Sequence, residues 1–113
     1  MDALDYQKRA LKTLSGSITS SQGELTNAVL GLTGEAGECA DLLKKHLYHG
    51  HALDTWKMAR ELGDVLWYIA LAAYSMGYGL DEIMTLNLDK LAARYPQGFT
   101  TEASLNREEE EDA

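Results

Sequence analysis

The sequence holds one cysteine and one proline in 113 residues. The lone thiol, Cys39, excludes an internal disulfide and agrees with a reducing compartment. It falls on the apolar side of its helix, where it reads as a small hydrophobe rather than a nucleophile. The scarcity of proline leaves long helices uninterrupted as far as Pro96. No run of 18 or more apolar residues occurs, so no transmembrane helix and no membrane partner are expected. Charges in MDALDYQKRALK stand where a signal peptide needs its apolar core, and a cytoplasmic location is expected. A basic face is missing too, which argues against nucleic acid as a partner. So are a GxxxxGK[ST] phosphate loop and any Ser-His-Asp or Cys-His arrangement.

What is present begins with acid. The net charge of −8 is uneven, because residues 102–113 carry six acids against Arg107 alone. That segment reads as an acidic, disordered tail, with residues 1–101 as a single domain that is nearly neutral outside its candidate site.

Apolar periodicity predicts four helices and no strand. The first runs from about Asp2 to Leu14 and stops at SGSITSSQG. The second runs from about Glu24 to Tyr48, with an apolar stripe of Leu25, Ala28, Val29, Leu32, Ala36, Cys39, Leu43 and Leu47. Asp54 is the expected N-cap of the third, which ends near Met76 before GYG. The fourth starts at Leu80 or Asp81 and must end at Tyr95, before Pro96. Beyond it only a short turn at TEASL is expected. This is an all-α, four-helix bundle-like architecture in up-and-down order. The third helix is apolar on nearly every side, so its core is expected to be completed by homo-oligomerisation.

Two pairs of carboxylates stand out. Glu35 and Glu38 lie one turn apart on the second helix, and Glu61 and Asp64 repeat that spacing on the third. Such pairs repel on an isolated helix, and burial without partners would cost several kcal/mol. A hard divalent cation, Mg2+ with Mn2+ as a substitute, answers both objections, since oxygen ligands select it. A di-iron bundle would need Glu-x-x-His, which His46, His49 and His51 do not supply. Gly31, Gly34 and Gly37 weaken the second helix beside its acids; the absent Cβ atoms admit either a crossing helix or a hydrated metal with phosphate.

These residues resemble a known family. GEAGE, then ELGDVLWY, with support from LLKK at 42–45 and NLDKLAARYP at 87–96, is similar to the MazG-type nucleotide pyrophosphohydrolases of the all-α NTP pyrophosphatase superfamily. The resemblance spans roughly residues 24–107 and departs from the family pattern at Gly34, where a first acid often stands. It implies Glu35, Glu38, Glu61 and Asp64 as magnesium ligands, with Glu38 or Glu61 also orienting or deprotonating the attacking water. It implies a nucleoside triphosphate as substrate, cleaved to the monophosphate and pyrophosphate, and a homodimer or homotetramer. On the fourth helix Asn87, Lys90 and Arg94 form one stripe, read either as stems covering apolar surface or, as the resemblance favours, as a clamp for substrate phosphates. A base-recognition pocket is expected from the first helix and the 15–23 loop, with Lys45, Trp67 and Tyr68 as further candidates for base or phosphate contact, although the two aromatics read first as core. Two rival readings remain: a dUTPase- or dCTPase-like enzyme of narrow base preference, and a non-catalytic helical module that binds a cation.

Overall fold

The computed structural model describes residues 1–112, and their side chains through Arg107. The described residues form α1 (Ala3–Ala10), a 3-10 turn η1 (Leu11–Thr13), α2 (Ser21–Tyr48), α3 (Thr55–Ser75), α4 (Leu80–Arg94) and α5 (Thr101–Asp112), with no strand among them. The all-α expectation holds.

Each boundary has a local cause. Asp2 caps α1 by accepting from the Asp5 N–H at 2.8 Å, Ser20 caps α2 through Gly23, and Asp54 caps α3 through Lys57. Gly50 and Gly77 follow the ends of α2 and α3 with φ of 76° and 84°, a region glycine enters without a steric penalty. Pro96 stops α4, which ends at Arg94 with Tyr95 between them.

The chain divides into two units, Met1–Leu80 and Asp81–Ala113. In the first, α2 and α3 form an antiparallel helical pair, and α1 with η1 packs on α3. As expected for the most enclosed helix, α3 supplies the buried Ala70, Leu71 and Ala73, beside Ala28 and Leu80.

The packed face of α2 is rotated from the predicted stripe. Of the predicted stripe Leu25, Ala28, Leu32 and Cys39 are withdrawn from solvent, joined by Gly31, Glu35 and Leu42, while Val29, Ala36, Leu43 and Leu47 are exposed. The stripe was drawn through apolar residues alone. The helix instead turns toward α3 the side that carries a glycine and a glutamate, because Gly31 lets Tyr68 come against the backbone: a Cβ there would overlap the Tyr68 ring. Gly34 and Gly37 face open space.

A buried glutamine joins the first and last parts of this unit. The Gln7 Nε2 donates to the carbonyls of Ala70 (3.0 Å) and Tyr78 (3.2 Å), and its Oε1 accepts from the Leu80 N–H at 3.0 Å. All its side-chain groups therefore have partners, as burial of an amide requires.

In the second unit, the turn after α4 is closed by Gly98 N–H donating to the Tyr95 carbonyl at 3.0 Å, with the Tyr95 and Phe99 rings 5.4 Å apart. The expectation of a mere turn at TEASL is corrected: the backbone is helical over Thr101–Asp112. Thr100 starts it by accepting from the Ala103 N–H at 3.0 Å, and the segment has neither glycine nor proline while glutamate favours helix. The predicted disorder of residues 102–113 rests largely on the acids from 108 onward, whose side chains lie outside the described residues.

Candidate metal centre

The centre lies where α2 meets α3. Seven residues separate Ala28 from Glu35, two turns along one side of α2, so the register that buries Ala28 also turns Glu35 inward. From α3, Glu61 and Asp64 reach the same point. Oxygens of Glu35, Glu61 and Asp64 all lie within 4.8 Å of one another; Glu35 and Glu61 are half-buried and Asp64 is exposed. Among the described residues no other such group of acids, histidines or cysteine forms.

Among the described residues no lysine, arginine or histidine forms an ion pair with these three acids. The Glu35 carboxyl is raised above its ordinary value, first by a shared hydrogen bond with the Glu61 carboxyl, then by burial, then by the negative charges of Asp64, Glu61 and Glu38. The three acids lie close enough for each negative charge to disfavour the others, a burden that a bound cation would relieve. Tyr6 on α1 feels the same field: burial and then Asp64 raise its phenol.

Beside the acids lies a cleft of about 330 Å³, lined by Thr13, Glu35, Asp64, Trp67 and Tyr68. Its aromatic wall is fixed. The Trp67 and Tyr68 rings meet edge to face with centroids 5.0 Å apart. The Trp67 Nε1 donates to the Ala10 carbonyl and to the Thr13 Oγ1, both at 3.0 Å, which brings η1 against α3 and Thr13 to the cleft.

The remaining sequence candidates are placed as follows. Glu38 is exposed on α2, outside the group of three, although its charge bears on Glu35. Lys45 lies further along α2 and pairs with Asp41 at 2.8 Å; each holds the other in its charged form, lowering the Asp41 carboxyl and raising the Lys45 ammonium. Asn87 and Lys90 are exposed on α4, and Arg94 at its end is half-buried beside a cleft lined also by Glu102 and Asn106. All three belong to the second unit. The sequence pointed to the first predicted helix for base recognition without singling out Tyr6 on α1 or Thr13 on η1. The signal available for Thr13 was indirect: a half-buried tryptophan needs an acceptor for its N–H.

The helical hairpin thus brings three carboxylates together in an arrangement that could hold a hard cation between two helices. The MazG nucleotide pyrophosphohydrolase domain matches the chain over residues 23–99, which include all four acids and α4, and the chain belongs to that family. It is also similar to the Gene 37 protein of Mycobacterium phage L5, at 35% identity over 97 residues that make up 82% of this chain and 84% of that one. No solved structure matches it. α1 precedes the family match.

Proposed function

We propose that the protein is a magnesium-dependent nucleoside triphosphate pyrophosphohydrolase that releases pyrophosphate and leaves the nucleoside monophosphate. The observation that carries this reading is the convergence of Glu35, Glu61 and Asp64 within 4.8 Å. The donor set fits the metal: three carboxylates, no sulfur and no imidazole suit magnesium or manganese rather than zinc or iron. The raised Glu35 carboxyl, on which Glu61, Asp64 and Glu38 bear, marks negative charge that such an ion would offset. Bound there, magnesium supplies neutralisation for a triphosphate and lowers the pKa of water.

The chain's own groups supply the rest. Glu35, Glu61 and Asp64 hold the ion, and Glu38, one turn from Glu35 and open to solvent, joins them as a ligand or accepts the proton of the attacking water. The Trp67 and Tyr68 rings and the Thr13 hydroxyl border the space next to the acids and bound the position of the substrate. Asn87, Lys90 and Arg94 recur at three- and four-residue spacing on α4 and bind substrate phosphates by charge-assisted hydrogen bonds. The assembly is a homodimer or homotetramer; the exposed Val29, Leu43, Leu47, Leu62 and Leu66 support this, since single chains rarely leave so much apolar helix uncovered.

The test is incubation with each ribo- and deoxyribonucleoside triphosphate plus magnesium, with detection of pyrophosphate. Release from several of them establishes the reading. Release from one pyrimidine deoxynucleotide alone would replace it with the narrow enzyme, and none at all would leave a cation-binding module.

A further inference from the structure

A second, larger cleft in the first unit lies away from the acids. It measures about 600 Å³, within the roughly 300–1,000 Å³ of small-molecule sites. One wall is the side of α1 and η1 that carries Lys8, Leu11 and Lys12, with Leu14 just beyond. The other is the end of α3 and the turn after it, with Tyr74 and Tyr78. The family match begins only at residue 23, so the first wall lies outside it.

Three features set this cleft apart. Its charge is opposite to that of the chain: two lysines and no carboxylate line it in a protein of net charge −8. The acids of α1 are occupied elsewhere, Asp2 in capping Asp5 and Asp5 in pairing with Arg9 at 3.6 Å, and neither lysine has an ion-pair partner among the described residues. Secondly, both tyrosines are well exposed, at 55% and 42%, although large aromatic rings are ordinarily withdrawn from water. Thirdly, the walls are fixed relative to each other. Gln7, buried at the base, ties α1 to the Ala70 and Tyr78 carbonyls and to the Leu80 N–H. Gly77 keeps the turn free of a side chain, and nothing lies within 4 Å of where a Cβ would stand.

We propose that this cleft is a second ligand site, which takes a mononucleotide: a planar ring between the tyrosines and the leucines, with its phosphate held by Lys8 and Lys12. The lysines stand one turn apart, the spacing at which two ammonium groups converge on one dianion. Aromatic faces with an apolar floor accept any base, since every base offers a π-face. The site needs neither metal nor turnover, so it stands or falls separately from the hydrolase reading.

The experiment titrates the full-length, isotopically labelled chain with AMP, CMP, GMP and UMP in EDTA, following backbone amide shifts by NMR. Saturable shifts are expected at Leu11, Lys12, Gly77 and Tyr78. The double variant Lys8→Ala/Lys12→Ala should weaken binding at least ~10-fold, and Tyr74→Ala should weaken it too, while Asp64→Asn leaves it unchanged. All these substitutions are at exposed positions, and circular dichroism would verify the fold. Shifts confined to Glu35, Glu61 and Asp64, no saturation in the millimolar range, or affinity indifferent to the lysine variant would each overturn the site. Inorganic phosphate binding as tightly as the nucleotides would overturn the assignment of a ring-bearing ligand.

Discussion

Gly31 and Tyr68 meet where α2 passes α3, and the ring occupies the space a Cβ on Gly31 would need. One helix is thereby weakened so that two can approach. Gly31→Ala gains roughly 1 kcal/mol of helix propensity but must displace a ring braced by Trp67, at a cost of ~1–3 kcal/mol from overpacking. A net loss of stability is expected on urea unfolding. Gly34→Ala and Gly37→Ala meet nothing and should each stabilise the isolated chain by about 0.5–1 kcal/mol. Equal effects at all three positions would remove the packing role of Gly31.

Asp64→Asn keeps the shape of the side chain and removes its charge from the cluster. It should abolish pyrophosphate release with helicity intact. Glu38→Gln should do the same if Glu38 joins the ion or takes the proton of water; more than a small residual rate in that variant would confine the centre to Glu35, Glu61 and Asp64.

The raised Glu35 carboxyl fixes the sign of a pH effect. A carboxyl that binds its proton more tightly when folded contributes stability in full below its unfolded pKa, and this is lost as pH rises through the folded value. Asp41, lowered by Lys45, acts in the opposite direction and loses its contribution as pH falls. Comparing wild type with Glu35→Gln isolates the first effect. In EDTA the variant's Tm should gain on that of wild type as pH rises above the ordinary glutamate range. Magnesium should raise the wild-type Tm more at neutral than at acidic pH, and more than it raises that of Asp64→Asn. Parallel Tm curves for wild type and Glu35→Gln would contradict a raised Glu35 carboxyl.

Gln7 is a buried polar residue with three hydrogen bonds to backbone. Gln7→Leu leaves the Tyr78 carbonyl and the Leu80 N–H without these partners and strips the helical Ala70 carbonyl of its second bond, and each buried orphan costs about 1–3 kcal/mol. A loss of roughly 3 kcal/mol or more is expected by denaturant unfolding, allowing for partial access of water. A loss under 1 kcal/mol would mean that the turn after α3 does not depend on this side chain.

Lys90→Ala and Arg94→Ala test the phosphate role of α4. Each should reduce kcat/KM at least ~10-fold, on the order of 1.4 kcal/mol, with magnesium affinity in the absence of nucleotide unchanged. Rates within a factor of two of wild type would return these residues to covering apolar surface.

Helix positions were legible because their stop signals are local. Asp54, Gly50 and Pro96 act within a turn of where they stand, and the four predicted helices fall within a few residues of their observed limits. The acids were legible for a similar reason: spacing of i and i+3 fixes a shared face whatever the helix later packs against. The orientation of α2 was not. It depends on Tyr68 finding Gly31 across the interface, a relation between residues 37 positions apart that apolar periodicity does not contain. Gln7 was invisible for the same reason, since its partners lie at 70, 78 and 80. α5 was missed because its glutamates were read as charge, when without glycine or proline they are also good helix formers.

The acidic cluster sits entirely on one hairpin, α2 and α3 joined by residues 49–54. So short a connection costs little entropy to close, and contacts between neighbouring helices form early in folding. The repulsion among Glu35, Glu61 and Asp64 is therefore met as the hairpin first closes, rather than when the last element docks. It acts as a brake on nucleation, and a divalent cation that relieves it would quicken folding as well as prolong the life of the folded state.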